Sequence, residues 1–159
     1  MGNVFRAGAD DMYLSNGGTE VFVEVLTLAV AELARRPWEL RFAALLARQD
    51  QNVLGRGAVG FDLAELEWGG TAEERAAAKA FVLAVTGLAA GRHRWEELGY
   101  EPPHALGYLR RFREIVEAFE PPAGVPPGGV LPAPAVACCV RHRAPSALPD
   151  WEGCVFCHR

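Results

Sequence analysis

TAEERAAAKAFVLAVTGLAAG, residues 71–91, is the stretch that sets the fold class. Thr71 is followed three residues later by Glu74, the spacing of a capping box. Its hydroxyl and carboxylate each take a backbone N–H that the first helical turn leaves open. Ala77, Phe81, Val85 and Leu88 then recur at i, i+4, i+8 and i+11, which is one face of a helix. Val82 and Leu83 widen that face. The stretch predicts a central helix, and Gly87 and Gly91 let neighbours approach its second half closely.

Similar patterns lie on either side. Thr19 reads as an N-cap with Glu20 in the first turn. Phe22, Val25, Leu26, Ala29 and Leu33 form the apolar stripe of that helix, and Glu20, Glu24 and Thr27 its solvated side. Glu32 is placed to pair with Arg35 or Arg36. Pro37 ends this helix and suits the first position of the next. Trp38, Phe42, Leu45 and Leu46 carry the second helix to about Asp50, and Gly55 and Gly57 stop it. Pro102 and Pro103 open a fourth helix with Leu106, Leu109, Phe112, Val116 and Phe119 inward and Tyr108 and Ile115 beside them. Residues 1–18 read as a polar lead-in, with Met12, Tyr13 and Leu14 as a short extended piece. The expected architecture is mainly α, a compact four-helix bundle, orthogonal or up-down, over residues 1–120.

Between the second and third helices lies GFDLAELEWGG, residues 60–70. Asp62 is suited to cap a single turn holding Leu63 and Leu66. Phe61 and Trp68 are either anchors under the bundle or aromatic residues shown to a partner. On the second reading Phe61, Asp62, Glu65 and Trp68 form a partner-binding edge, to which Glu67 adds acidity.

Residues 121–137 hold Pro, Gly, Val, Ala and a single Leu, with no charge. Proline cannot continue a helix, so this is an extended strap or linker. The remaining residues, 138–159, carry the one constellation that demands a specific chemistry. Cys139 and His142 are separated by two residues, as are Cys154 and Cys157, with a turn-rich loop between the pairs. Two tight turns of this kind can close a tetrahedron of thiolate and imidazole donors around zinc. Four protein donors leave no place for water, so such a site is structural. Cys138 and His158 are neighbouring substitutes. A disulfide needs an oxidising compartment, and an iron–sulfur cluster usually needs four cysteines. Both fit less well than zinc.

The pattern of Cys139, His142, Cys154 and Cys157 resembles zinc-ribbon and zinc-knuckle modules over about the last twenty residues. The resemblance implies a metal-stapled appendage of the kind that commonly binds nucleic acid or protein. His142 stands where the usual first pair has its second cysteine.

Composition narrows the partners. The net charge is −4 and the isoelectric point is near 5.6, which disfavours a general nucleic-acid binder. Nearly all cations are arginine and Lys79 is the only lysine, a usage suggestive of a GC-rich bacterial genome. No apolar run reaches the roughly 18 residues of a membrane span. The N-terminal residues lack a basic region followed by an apolar run, so a cytoplasmic location is the default expectation. Phosphate-binding glycine loops, nucleophile elbows and His-Glu-x-x-His helices do not occur. His93 and His104 stand alone and read as surface or capping residues.

The expectation is a non-enzymatic cytoplasmic module with structural zinc that binds another protein, in the manner of immunity proteins, antitoxins or adaptors. The alternative is a nucleic-acid-binding regulator using Arg141, Arg143 and Arg159. A third is an enzyme with a pocket between helices near His93 or His104.

Overall fold

The computed structural model describes residues 2–51, 58–124, 131, 137–146 and 154–157. Within them the chain is mainly helical, with helices α1 (Asn16–Leu33), α2 (Pro37–Ala47), α3 (Ala72–Ala90) and α4 (Ala105–Ala118). None is long and apolar enough to cross a membrane.

The middle of the structure is α1, not α3. Twelve of the 18 residues of α1 are buried, and they run round the helix rather than down one stripe. That is the pattern of a helix enclosed by its neighbours. Glu24 and Thr27, expected on a solvated side, are 0% and 1% exposed. The Tyr100 hydroxyl donates to Glu24 Oε2, so this carboxylate enters the core with a hydrogen bond. The helix also starts earlier than expected. Ser15 is the N-cap, its Oγ accepting the Gly18 N–H at 3.0 Å. Thr19 is buried, donating to the Ser15 carbonyl at 2.8 Å and accepting from Asn3 Nδ2 at 2.7 Å.

The starts of α3 and α2 follow their sequence signals closely. Thr71 Oγ1 accepts the Glu74 N–H at 3.1 Å, and Glu74 Oε2 reaches back to the Gly70 N–H at 2.9 Å. The buried face of α3 is Ala78, Phe81, Val82, Val85, Thr86 and Ala89. It is turned slightly from the expected one, and Ala77 is exposed. Pro37 opens α2, where Glu39 Oε1 accepts the Arg35 and Arg36 N–H groups at 3.0 and 3.1 Å. The expected stop at Gly55 and Gly57 lies outside the described residues. In α4, His104 is the N-cap at φ 60°, and Pro102 and Pro103 precede the helix rather than begin it. Leu109, Phe112, Ile115 and Val116 are buried, whereas Leu106 is 40% exposed.

The expected extended piece at Met12, Tyr13 and Leu14 is present, and it belongs to a small sheet that takes up most of the lead-in. Strands β1 (Asn3–Ala7) and β2 (Asp10–Leu14) form an antiparallel hairpin, and β3 (Gly60–Asp62) adds to β1 in parallel, giving the order β2-β1-β3. Phe5, Met12 and Leu14 face the core. Gly60 is required where β3 meets β1. Its φ is 136°, and a Cβ there would stand 1.8 Å from the Val4 carbonyl oxygen. Asn3 ties these pieces together. Besides its bond to Thr19, its Oδ1 accepts the Val59 N–H at 2.8 Å. On the outer strand, Arg111 of α4 binds Asp10 Oδ1 at 2.6 Å and the Asp11 carbonyl at 2.9 Å, covering part of the sheet edge.

Phe22 of α1 lies at the aromatic centre, 4.9 Å from Phe5 and 5.3 Å from Phe112 between ring centroids. Leu131, within the segment expected to be a strap or linker, is 1% exposed, and its carbonyl accepts from Arg41 Nη2 at 3.2 Å. Most of residues 121–137 beyond Gly124 lie outside the described set.

Candidate metal centre

Strands β4 (Ala137–Cys139) and β5 (Ala144–Ser146) pair antiparallel, with Cys139 opposite Ala144. The turn between them places Cys139 at its start and His142 near its end. Arg143, next in the turn, has φ 49°. Cys154 leads into a single 3-10 turn, Val155–Cys157, closed by the Cys157 N–H on the Cys154 carbonyl at 2.9 Å. Each turn therefore delivers two donors to one side, and the two turns face each other.

The four donor atoms converge, all lying within 4.8 Å of one another. His142 Nδ1 is 3.6 Å from Cys139 Sγ, 3.4 Å from Cys154 Sγ and 3.3 Å from Cys157 Sγ. Cys157 Sγ is 3.7 Å from Cys139 Sγ and 4.0 Å from Cys154 Sγ. These distances can be compared with a tetrahedron. Metal–sulfur bonds of about 2.3 Å and metal–nitrogen bonds of about 2.05 Å give edges of about 3.8 Å between sulfurs and about 3.6 Å from sulfur to nitrogen. These five edges lie within about 0.3 Å of those values and all six are within 4.8 Å, so the donor set fits a tetrahedral ion. The side chain of Cys138 and all of His158 lie outside the described residues.

Backbone amides support the thiolates. Cys139 accepts N–H groups from His142 and Arg141, and Cys154 from Phe156 and Cys157. Burial pushes the Cys139 thiol up, but those amides and the neighbouring Cys154 and Cys157 thiols outweigh it, leaving it below its ordinary value. Burial is also the largest influence on Cys154 and pushes it up to about 12, with the Cys139 charge adding to the rise. Without an ion, Cys139 therefore gives up its proton more readily than Cys154, and a charge on one opposes a charge on the other. A divalent cation at the centre removes that conflict, because it stabilises every thiolate around it.

The centre is fastened to the helical body by residues that no spacing rule marks. Arg94 donates from Nη2 to the His142 carbonyl at 2.7 Å and from Nη1 to the Arg143 carbonyl at 3.0 Å. Glu97 pairs with both Arg94 and Arg143. Arg94 itself has φ 60°, as N-cap of the 3-10 turn Trp95–Leu98. A left-handed non-glycine residue costs about 1 kcal/mol or more. Ala144, Val155 and Phe156 add apolar contact with the common core, and the Phe156 ring lies 5.9 Å from that of His142.

Arg94→Gly separates these two roles. Glycine relieves the left-handed backbone but removes the fork on the two carbonyls. The helical body is expected to melt no earlier, while amide exchange in residues 139–146 rises at least tenfold. Thermal melting and hydrogen exchange on the same sample check this.

Comparison with protein-family models, with curated proteins and with solved structures finds no match to this chain. The site is read from its own geometry.

The remaining candidate residues are placed differently. Trp68 is 1% exposed, its indole N–H donating to the Leu63 carbonyl at 2.8 Å. Phe61 is half-buried, 5.1 Å from Phe5. Asp62 Oδ1 accepts the Ala64 and Gly8 N–H groups at 2.9 and 3.0 Å, capping its turn and holding the hairpin tip. Only Glu65 of the four is exposed. The aromatic pair is thus turned inward, because the strand pairing of residues 60–62 points this segment under the helices. Among the other arginines, Arg92 pairs with Glu101, Arg111 with Asp10 and Arg113 with Glu117. His93 Nε2 lies 3.8 Å from Glu32, which takes the place of the expected pairing with Arg35 or Arg36. His104 is exposed. Two cavities beside the tail, of about 150 and 300 Å³, have neither histidine in their walls.

Proposed function

We propose that this chain is a non-enzymatic interaction module whose C-terminal turns are shaped by structural zinc. The closed donor set carries the reading. Three thiolates and an imidazole on a tetrahedron suit Zn²⁺ among common metals, and a fourth protein donor occupies the position that a catalytic site leaves open for water. The ion's role is then to hold a surface. Val140, at the tip of the first metal turn, is 91% exposed, and Arg141 beside it is exposed as well. An apolar group with a cation next to it on a rigid turn suits a protein partner with an apolar pocket and an acidic rim. The partner face assigned here is this tip, in place of the segment holding Phe61 and Trp68. A cytoplasmic, immunity- or adaptor-like setting remains part of the same reading.

The nucleic-acid alternative draws on the same arginines. It is weakened because Arg143, one of its three arginines with Arg141 and Arg159, is already engaged by Glu97. A photo-crosslinking residue in place of Val140, used in extract of the native host, tests the choice. The expected result is one dominant protein adduct that disappears when a chelator removes the metal. A nucleic-acid adduct with steeply salt-dependent binding would overturn the reading, as would turnover of a metabolite by the purified chain.

A further inference from the structure

The centre exposes its sulfurs unequally. Cys157 is exposed, Cys139 is partly exposed and Cys154 is buried. The two accessible sulfurs are also near neighbours, 3.7 Å apart. A disulfide bond is about 2.05 Å long, so they must close by only about 1.7 Å to bond. Such closure runs along one edge of the donor tetrahedron and consumes half of the donors.

We propose that Cys157 and Cys139 form a hydroperoxide-reactive pair whose oxidation to a disulfide expels the metal ion and loosens the metal turn from the helical body. This rests on the four-donor metal site of the proposed function and names its regulation. The first step takes place at Cys157, where a small peroxide has access. Its thiolate attacks one peroxide oxygen, the O–O bond breaks, and hydroxide leaves and is protonated to water by buffer acid. Cys157 is then a sulfenic acid. The Cys139 thiolate attacks that sulfur, the S–O bond breaks, a second hydroxide leaves and is protonated, and the S–S bond forms. Two thiolates, one hydrogen peroxide and two protons become one disulfide and two waters. The sulfurs lose two electrons and the peroxide gains them. The ion keeps only His142 and Cys154 and departs into water.

Release reaches the body through backbone rather than side chains. Cys139 ends β4, and the next residues include the two whose carbonyls Arg94 grips, His142 and Arg143. Drawing Cys139 toward Cys157 moves this turn off the fork. The buried Cys154 is a poorer second thiol, because its sulfur is 4.0 Å from that of Cys157 against 3.7 Å for Cys139, and it is held in the core at 1% exposure.

The test uses the full chain, reduced and loaded with zinc, with metal content measured first. Hydrogen peroxide is added in up to tenfold excess while a chromogenic chelator reports free zinc. Peptide mass spectrometry then locates the disulfide. One zinc per chain is expected to be released, with a Cys139–Cys157 disulfide, and a dithiol should restore binding. The Cys138→Ser variant should behave identically. Zinc retained at tenfold peroxide, or a disulfide through Cys138 or Cys154, would overturn the inference while leaving the metal site standing. Purified chain without metal, and with no uptake of added zinc, would overturn both.

Discussion

Cys154→Ser should yield a chain that holds no metal and whose tail no longer packs, while the helices persist. Cys154 is the deepest of the four donors, 1% exposed, with its sulfur 3.4 Å from His142 Nδ1. Serine supplies a harder, shorter and mostly protonated donor in an apolar place. Loss of a group that merely orients a ligand typically lowers metal affinity about 10–100-fold. Loss of the ligand itself should exceed that, so a drop of at least roughly a hundredfold is expected. Metal binding supplies much of the folding free energy of such small modules, on the order of 10 kcal/mol. Exchange protection in residues 139–146 should therefore vanish. The helical circular dichroism signal should remain, because α1, α3 and α4 pack on one another independently of the ion. Elemental analysis and hydrogen exchange measure both halves. Full metal content in this variant would show that another residue completes the shell.

Trp68→Ala should be the most damaging single change in the helical body. The indole is enclosed, 5.1 Å from Trp38 and 5.4 Å from Phe119 between centroids, and its N–H is bonded to the Leu63 carbonyl. Removing a buried tryptophan costs about 3–5 kcal/mol. In a chain of this size that lowers the melting temperature by about 10 °C. A residue displayed to a partner would instead leave melting unchanged and weaken only binding. Thermal denaturation of the variant therefore decides between an anchor and a contact. The expected result is the loss of stability.

The sequence disclosed what was local. Thr71 with Glu74, Pro37 as the first residue of α2, and the paired donor spacings each depend on residues within one or two turns, and the structure contains all three. Features made by distant partners were not legible. Phe5, Met12 and Leu14 offer too short an alternation to announce a strand, and the sheet closes only when β3 arrives from across two helices. Glu24 reads as solvated because its partner, the Tyr100 hydroxyl, lies 76 residues away. Arg94 could not be linked to the metal turn for the same reason, its bond to His142 spanning 48 residues. The periodicity of α1 misled for a different cause. A helix surrounded on every side needs no polar face, and Thr19 and Glu24 find bonds inside.

The parallel pairing of β1 with β3 bears on synthesis. The first hairpin leaves the ribosome with one side of β1 bare, and Asn3 waits for the Val59 amide 56 residues further on. At translation rates of about 5–20 residues per second, that wait lasts about 3–11 s. A two-stranded hairpin is marginal in water over such times. This hairpin, made before its partner β3, is thus among the later pieces to become secure, and slowing translation beyond β3 should do little to help it.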